Sequence, residues 1–162
     1  MRHAKSSYAN GSLTDFERPL NKRGLRVAPQ MAEFIHLQGL TPDAIVSSAA
    51  TRAVMTADLF VEYCEGIEKS QLSFSQVFYH APASVYLKFL EKFTVDSVNT
   101  LMFVGHNPGL EELVEKIGGV WEVMPTAAVA HFRFEVDSWK DIKVPIQGEL
   151  RNVWRPKEIN ID

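Results

Sequence analysis

The sequence holds a single cysteine, Cys64, so no internal disulfide framework is open to it. That cysteine ends the apolar helical pattern Leu59-Phe60-Val61-Glu62-Tyr63-Cys64, which predicts a buried structural thiol rather than a nucleophile. No stretch approaches the roughly 20 consecutive apolar residues of a membrane-crossing helix. The residues after Arg2 are polar, unlike a signal peptide, so the expected location is the cytoplasm. Basic charge is also scarce: the formal net charge is -3, which argues against a nucleic-acid partner. Any anion site must therefore draw on local positive charge. Neither G-x-G-x-x-G nor G-x-x-x-x-G-K-[ST] occurs, which makes a nucleotide-binding loop a poor fit.

What is present is ordinary in amount and ordered in pattern. A chain of 162 residues, 46% hydrophobic and 23% charged, suits one globular domain with a full core. Residues Lys22 to Leu37 carry Leu25, Ala28, Met31, Ala32 and Ile35 at helical spacing, closed by Gly39 and Pro42. Ala44 to Ser48 reads as a buried strand and Ala50 to Cys64 as a second helix. A weakly alternating strand is expected from Leu72 to Tyr79, then a helix from Pro82 to Phe93. Leu101-Met102-Phe103-Val104 is the clearest buried strand, followed by a helix from Leu110 to Ile117. Two strands, Ala127 to Val136 and Leu150 to Trp154, complete the chain around a hairpin-like connection with Trp139 and Pro145. This alternation predicts an α/β sandwich with a largely parallel sheet and an antiparallel C-terminal contribution. With no repeat or linker, residues 1–162 are expected to form a single domain.

In such sheets ligands bind where strands turn into helices. Three segments occupy that kind of place. The first is Met1-Arg2-His3-Ala4-Lys5-Ser6-Ser7, a histidine between cations with hydroxyls behind it. Taken alone, a solvated terminus is the simpler account of it. The second is Ser47-Ser48-Ala49-Ala50-Thr51-Arg52, where Arg52 in a first helical turn opposes the helix dipole by ~0.3–1 kcal/mol unless it faces an anion. The third is Val104-Gly105-His106-Asn107-Pro108-Gly109, which presents a histidine at a strand tip. Two arginines and two histidines on such loops form a phosphate-handling set: cations neutralise phosphoryl oxygens and one neutral imidazole attacks in line. Of the remaining histidines, His36 is expected on a helix surface and His131 in a packing role within a strand.

These segments, with Phe16-Glu17-Arg18-Pro19-Leu20-Asn21-Lys22-Arg23-Gly24 and Pro125-Thr126-Ala127, resemble the histidine phosphatase superfamily. More closely they resemble its small SixA-type phosphohistidine phosphatase branch, over residue 1 to about Ala128. The resemblance implies a phosphoglycerate mutase-like three-layer sandwich with helices on both faces of a mostly parallel mixed sheet. It implies that His3 is the transiently phosphorylated nucleophile, with Arg2, Arg52 and His106 on the phosphoryl oxygens. Arg18 would line the pocket, and Ser6, Asn107 and His80 are further candidates for phosphate or substrate contacts. No metal or cofactor is implied, in keeping with the lack of a carboxylate–histidine cluster at ligand spacing. The implied substrate is a phosphohistidine on a protein; a small phosphomonoester, or a weakly catalytic phosphate-binding module, are the alternatives.

Two departures from that family pattern stand out. Larger members carry a carboxylate as general acid where this chain has Phe78-Tyr79-His80-Ala81. A labile P–N bond depends less on such an acid than an alkyl phosphate does. The family also places a hydrophobic strand before Arg-His, where this chain has only Met1. Without that strand, neighbouring strand edges are expected to go unpaired and His3 to be poorly held.

Overall fold

A computed structural model describes residues 1–161; Asp162, the last residue of the expected domain, lies outside the described residues. Helix α1 spans Lys22–Leu37 and is entered through Asn21, whose side chain accepts from the Gly24 N–H. Its buried face is Val27, Ala28, Met31, Ala32 and Ile35. Strand β1 (Ala44–Ser48) leads into α2 (Thr51–Tyr63), and β2 (Leu72–Ser75) is followed by α3 (Ala83–Lys92). Then come β3 (Leu101–Val104), α4 (Gly109–Gly118), β4 (Val129–Arg133) and β5 (Glu149–Trp154).

The strands lie in the order β2-β1-β3, all parallel, with Ile45 beside Leu72 and Met102. Successive side chains of a strand face opposite ways. Ile45 packs with Met31, Ile35, Ala57 and Phe60 of α1 and α2. Val46, its neighbour, packs with Tyr86, Leu90, Leu113 and Ile117 of α3 and α4. The result is the expected α/β sandwich, mostly parallel with helices on both faces. Parallel pairing places the ends of β1 and β3 at one edge, which brings residues 49–50 and 105–108 together.

The antiparallel strands differ from the single sheet expected. β4 and β5 form a separate ribbon, and β3 and β4 face each other across a cavity of about 700 Å³ lined by Met1, Phe103, Val129, His131 and Trp154. Residues 1–3 bridge the two sheets at the site end. Met1 donates its N–H to Phe103 O and accepts from Gly105 N, while Arg2 donates to Ala128 O and accepts from Ala127 N. His3 is consequently held rather than loose: its N–H donates to Gly105 O (3.0 Å), its carbonyl accepts from Ala127 N (3.1 Å), and the next N–H, of Ala4, donates to Thr56 Oγ1 (3.0 Å). Both sides of the peptide are committed.

Two strands are shorter than their alternation suggests. After Ser75 the chain turns into a 3-10 helix, Gln76–Phe78, because the Ser75 hydroxyl caps it by accepting from Val77 N. Ala127 and Ala128 are spent on residues 1–3, and Ala127 is left-handed (φ 65°), so β4 starts only at Val129.

Candidate active site

His3 lies at the junction of the two sheets, 7% exposed. Its Nδ1 is 2.8 Å from its neighbour's carbonyl, Ala4 O. A carbonyl only accepts, so Nδ1 carries the proton and Nε2 holds the free lone pair. Nε2 receives the Nε–H of Arg52 at 3.3 Å. Burial first, and then the Arg52, Arg2 and Arg18 charges, push the imidazole pKa down to about 4, against the Ala4 bond. A neutral imidazole with its lone pair turned towards a guanidinium is a nucleophile prepared for an anionic electrophile.

Arg52 enters from the first turn of α2, and Thr56 one turn on donates its hydroxyl to Arg52 O while accepting from Ala4 N. One threonine thus couples the segment of His3 to this arginine's helix. The rest of the Arg52 fork meets Asp15: Nη1 donates to its backbone carbonyl and Nη2 to Oδ2 at 2.9 Å. Asp15 also receives Arg18 Nη1 (2.5 Å), Tyr79 Oη (2.8 Å) and His80 Nε2 (3.1 Å). Although desolvation works upward, these bonds together hold its carboxyl well below the usual carboxylate range. Asp15 went unremarked in the sequence because an aspartate in a turn-rich stretch reads as a turn former. Its convergence with four side chains from three segments exists only after folding.

Arg2 donates Nη1 to Met124 O at 2.8 Å, and its buried Nε has no partner. His106 is 1% exposed, its ring centroid 5.0 Å from that of His3. Its Nε2 lies 2.8 Å from Ser48 Oγ, which also accepts from Ala50 N. The serine hydroxyl then has its own proton to give to Nε2, which leaves the proton of neutral His106 on Nδ1. Nδ1 is likewise buried and unpartnered. Burial, with the nearby His3 and Arg52, holds the ring neutral by pushing its pKa far down. Unpaired buried polar atoms are rare in folded proteins and call for an explanation. Two of them among the described residues, Arg2 Nε and His106 Nδ1, belong to the residue before His3 and to the ring packed against it.

The remaining sequence candidates divide. Arg18 is buried against the site, its Nη2 donating to Ser6 Oγ (2.6 Å) and its guanidinium stacked 3.3 Å from the Tyr8 ring centroid. Ser6 therefore acts through Arg18. Asn107 commits one amide N–H elsewhere: Nδ2 donates to Met124 O at 3.0 Å, the carbonyl that also receives Arg2. It fixes the acceptor that orients Arg2, which leaves its second amide N–H for the expected phosphate contact. His80 stands at the rim with its side chain 51% exposed and its ring 5.2 Å from that of His106. His36 and His131 lie elsewhere, the one bonded to Thr41 and the other stacked on Trp154.

Glycine is required at Gly105, where a Cβ would fall 2.2 Å from the Tyr86 hydroxyl, and at Gly109, where it would meet Ala81 O at 1.8 Å. They bracket the loop that carries His106, Gly109 as the first residue of α4. Among the described residues no group of three or more His, Cys, Asp or Glu is placed to hold a metal ion. No described helix is long and apolar enough to cross a membrane.

Comparison with known proteins gives a consistent picture. Residues 1–72 match the profile of the histidine phosphatase superfamily (branch 1). An uncharacterized chloroplastic protein of Arabidopsis thaliana is 30% identical over 147 residues, covering 87% of this chain and 67% of that one. An uncharacterized protein of Mycobacterium tuberculosis is 30% identical over 154 residues, covering 88% and 92%. Among solved structures, a SixA protein from Agrobacterium tumefaciens superposes with a TM-score of 0.79 at 26% identity, over 96% of this chain and 95% of the other. The same fold recurs in the protein histidine phosphatase SixA complexed with tungstate, with a TM-score of 0.82, 18% identity and coverage of 98% and 96%.

Proposed function

The chain belongs to the histidine phosphatase superfamily, with SixA-type proteins among its structural relatives, and on that premise we propose that it hydrolyses phosphohistidine on a protein through a phosphorylated His3. Family and fold support phosphatase activity as such. One observation supports the finer reading above the others: Nδ1 of His3 is tied to Ala4 O, which turns a neutral Nε2 towards Arg52.

In the first step the Nε2 lone pair attacks phosphorus in line while the bond to the leaving group breaks. Arg52, Arg2 Nε and His106 Nδ1 are the donors for the three equatorial oxygens, preorganised by Asp15, Met124 O and Ser48 respectively. In the second step water attacks the phosphoryl group and the P–N bond breaks, returning the electron pair to Nε2. A phosphohistidine leaving group already protonated on its second ring nitrogen takes the P–N electron pair and departs as neutral imidazole, with no proton drawn from the protein. Such a substrate makes small demands on proton donors in the site.

The test is transfer of labelled phosphate from a phosphohistidine protein. Acid-labile label should appear transiently on the wild-type chain and be absent from His3→Ala. Undiminished label in His3→Ala would remove His3 from the role. Binding of phosphate without turnover would favour a phosphate-binding module instead.

A further inference from the structure

The mechanism above leaves one imidazole at the rim, His80, unused. His80 follows the 3-10 turn after β2, and its backbone is left-handed at φ 49°, a conformation that non-glycine residues seldom adopt. Such a conformation persists where surrounding contacts enforce it, and it concentrates at functional sites. The contact here is Asp15: Oδ2 sits 3.1 Å from His80 Nε2, held from its other sides by Tyr79 Oη and Arg52 Nη2. The carboxylate fixes the ring through Nε2, and Nδ1 has no hydrogen-bond partner among the described residues. The ring also packs against His106 (5.2 Å between centroids) and Tyr79 (4.4 Å), yet half of the side chain faces solvent. An imidazole oriented by a carboxylate and open on its other nitrogen, beside a phosphoryl site, has the geometry of an acid–base catalyst.

Taking the reading of His3 as its basis, we propose that His80, oriented by Asp15, donates the leaving-group proton, and that the chain thereby also hydrolyses phosphomonoesters whose alkoxide or phenoxide leaves poorly unaided. The protons balance over the cycle. As His3 Nε2 bonds to phosphorus, the P–O ester bond breaks, and the ester oxygen takes the Nδ1 proton of the His80 imidazolium and departs as an alcohol. Water then attacks the phosphoryl group, giving its proton to His80 Nδ1, while the P–N electron pair returns to His3. Phosphate and alcohol are released and both histidines are restored. Phosphohistidine gains little from this donor, because its leaving imidazole carries its own proton. Phosphomonoesters gain most.

The experiment compares phenyl phosphate with 4-nitrophenyl phosphate, whose phenolate leaves without help. His80→Asn is the variant of choice, because asparagine tolerates left-handed backbone and has no proton to transfer. On phenyl phosphate kcat/KM should fall ~10²–10⁴-fold, and on 4-nitrophenyl phosphate by less than about tenfold. Asp15→Asn, which also loosens Arg52, should lower kcat/KM on both substrates and add a further loss on phenyl phosphate alone, which a role confined to Arg52 would not produce. Equal losses on both substrates, or none on phenyl phosphate, would overturn the assignment of His80. Acid-labile label on His3 from 4-nitrophenyl phosphate separates the two levels: label with equal losses leaves the His3 mechanism standing and removes His80, whereas no label on wild type removes both.

Discussion

Replacing Arg52 with lysine keeps one positive charge in the centre of the site and removes the planar fork. The arginine side chain is 3% exposed and makes three directed bonds, one to His3 Nε2 and two to Asp15. A lysine ammonium is a point donor and cannot reach His3 and both Asp15 oxygens at once. Losing a preorganised donor to a phosphoryl oxygen lowers kcat ~10²–10³-fold, or roughly 2.7–4 kcal/mol of transition-state stabilisation. Stability should change far less. Asp15 is 44% exposed, so its bonds to Arg52 are screened by solvent and their loss amounts to about 1 kcal/mol. For a domain of this size that lowers Tm by roughly 2–4 °C. The assay is single-turnover transfer of phosphate to His3, measured beside a thermal melt. A variant that melts within this range yet transfers phosphate less than about tenfold more slowly would refute the donor argument. A collapse of Tm without a matching loss of rate per folded molecule would make Arg52 structural instead.

Four further outcomes follow from the same geometry. Gly105→Ala drives a methyl group to 2.2 Å from the Tyr86 hydroxyl, so urea unfolding should show a loss of about 1–3 kcal/mol. Tyr86→Phe removes the hydroxyl that the new methyl group would strike, and in the double variant it should recover most of that loss; failure to recover would place the clash elsewhere. The pKa of His3, lowered to about 4, keeps its ring neutral well below the usual 6.5, so if His3 is the proposed nucleophile the acid limb of label transfer should fall near pH 4; a limb at 6.5 would contradict the burial argument. Between those values the unfolded chain binds a proton that the folded chain refuses, so His3 should make stability decline as pH falls from 6.5 to about 4, by up to roughly 3 kcal/mol, measurable as the difference from His3→Gln. Thr56→Val leaves the buried Ala4 N–H without its acceptor, which should cost ~1–3 kcal/mol in denaturant unfolding and slow phosphate transfer as the His3 segment loosens.

Helices were legible to within a residue or two, strands less so. α1 shows an Asn21 cap, a clean apolar face and a stop near Gly39, all local signals. β2 and β4 end where hydrogen bonds to distant or capping groups intervene, at the Ser75 hydroxyl and at Ala127 with its bonds to residues 2 and 3, and alternation alone carries no trace of those. Among site residues, Arg2, His3, Arg52 and His106 stood out because each lies at a strand end or strand-to-helix turn with chemistry that packing does not require. Asp15 did not, since one aspartate in a loop is an ordinary turn residue. That Asn107 also bonds the Met124 carbonyl, 17 residues away, has no trace in its neighbours along the chain.

The sequence by itself determined which chemistry is available: two arginines and two histidines on loops that a parallel sheet must gather at one edge. That follows from local pattern and from the rule that parallel strands end together. Tertiary structure decided how those groups are set. Only the fold shows that Ala4 O takes the Nδ1 proton of His3, that burial keeps both histidines neutral, and that Asp15 ties Arg52 to His80. Tautomer, desolvation and convergence depend on which distant groups share a volume, and sequence spacing does not encode that. The same holds for the opening Arg-His pair, which looks like a loose terminus in one dimension and is a bonded bridge between two sheets in three.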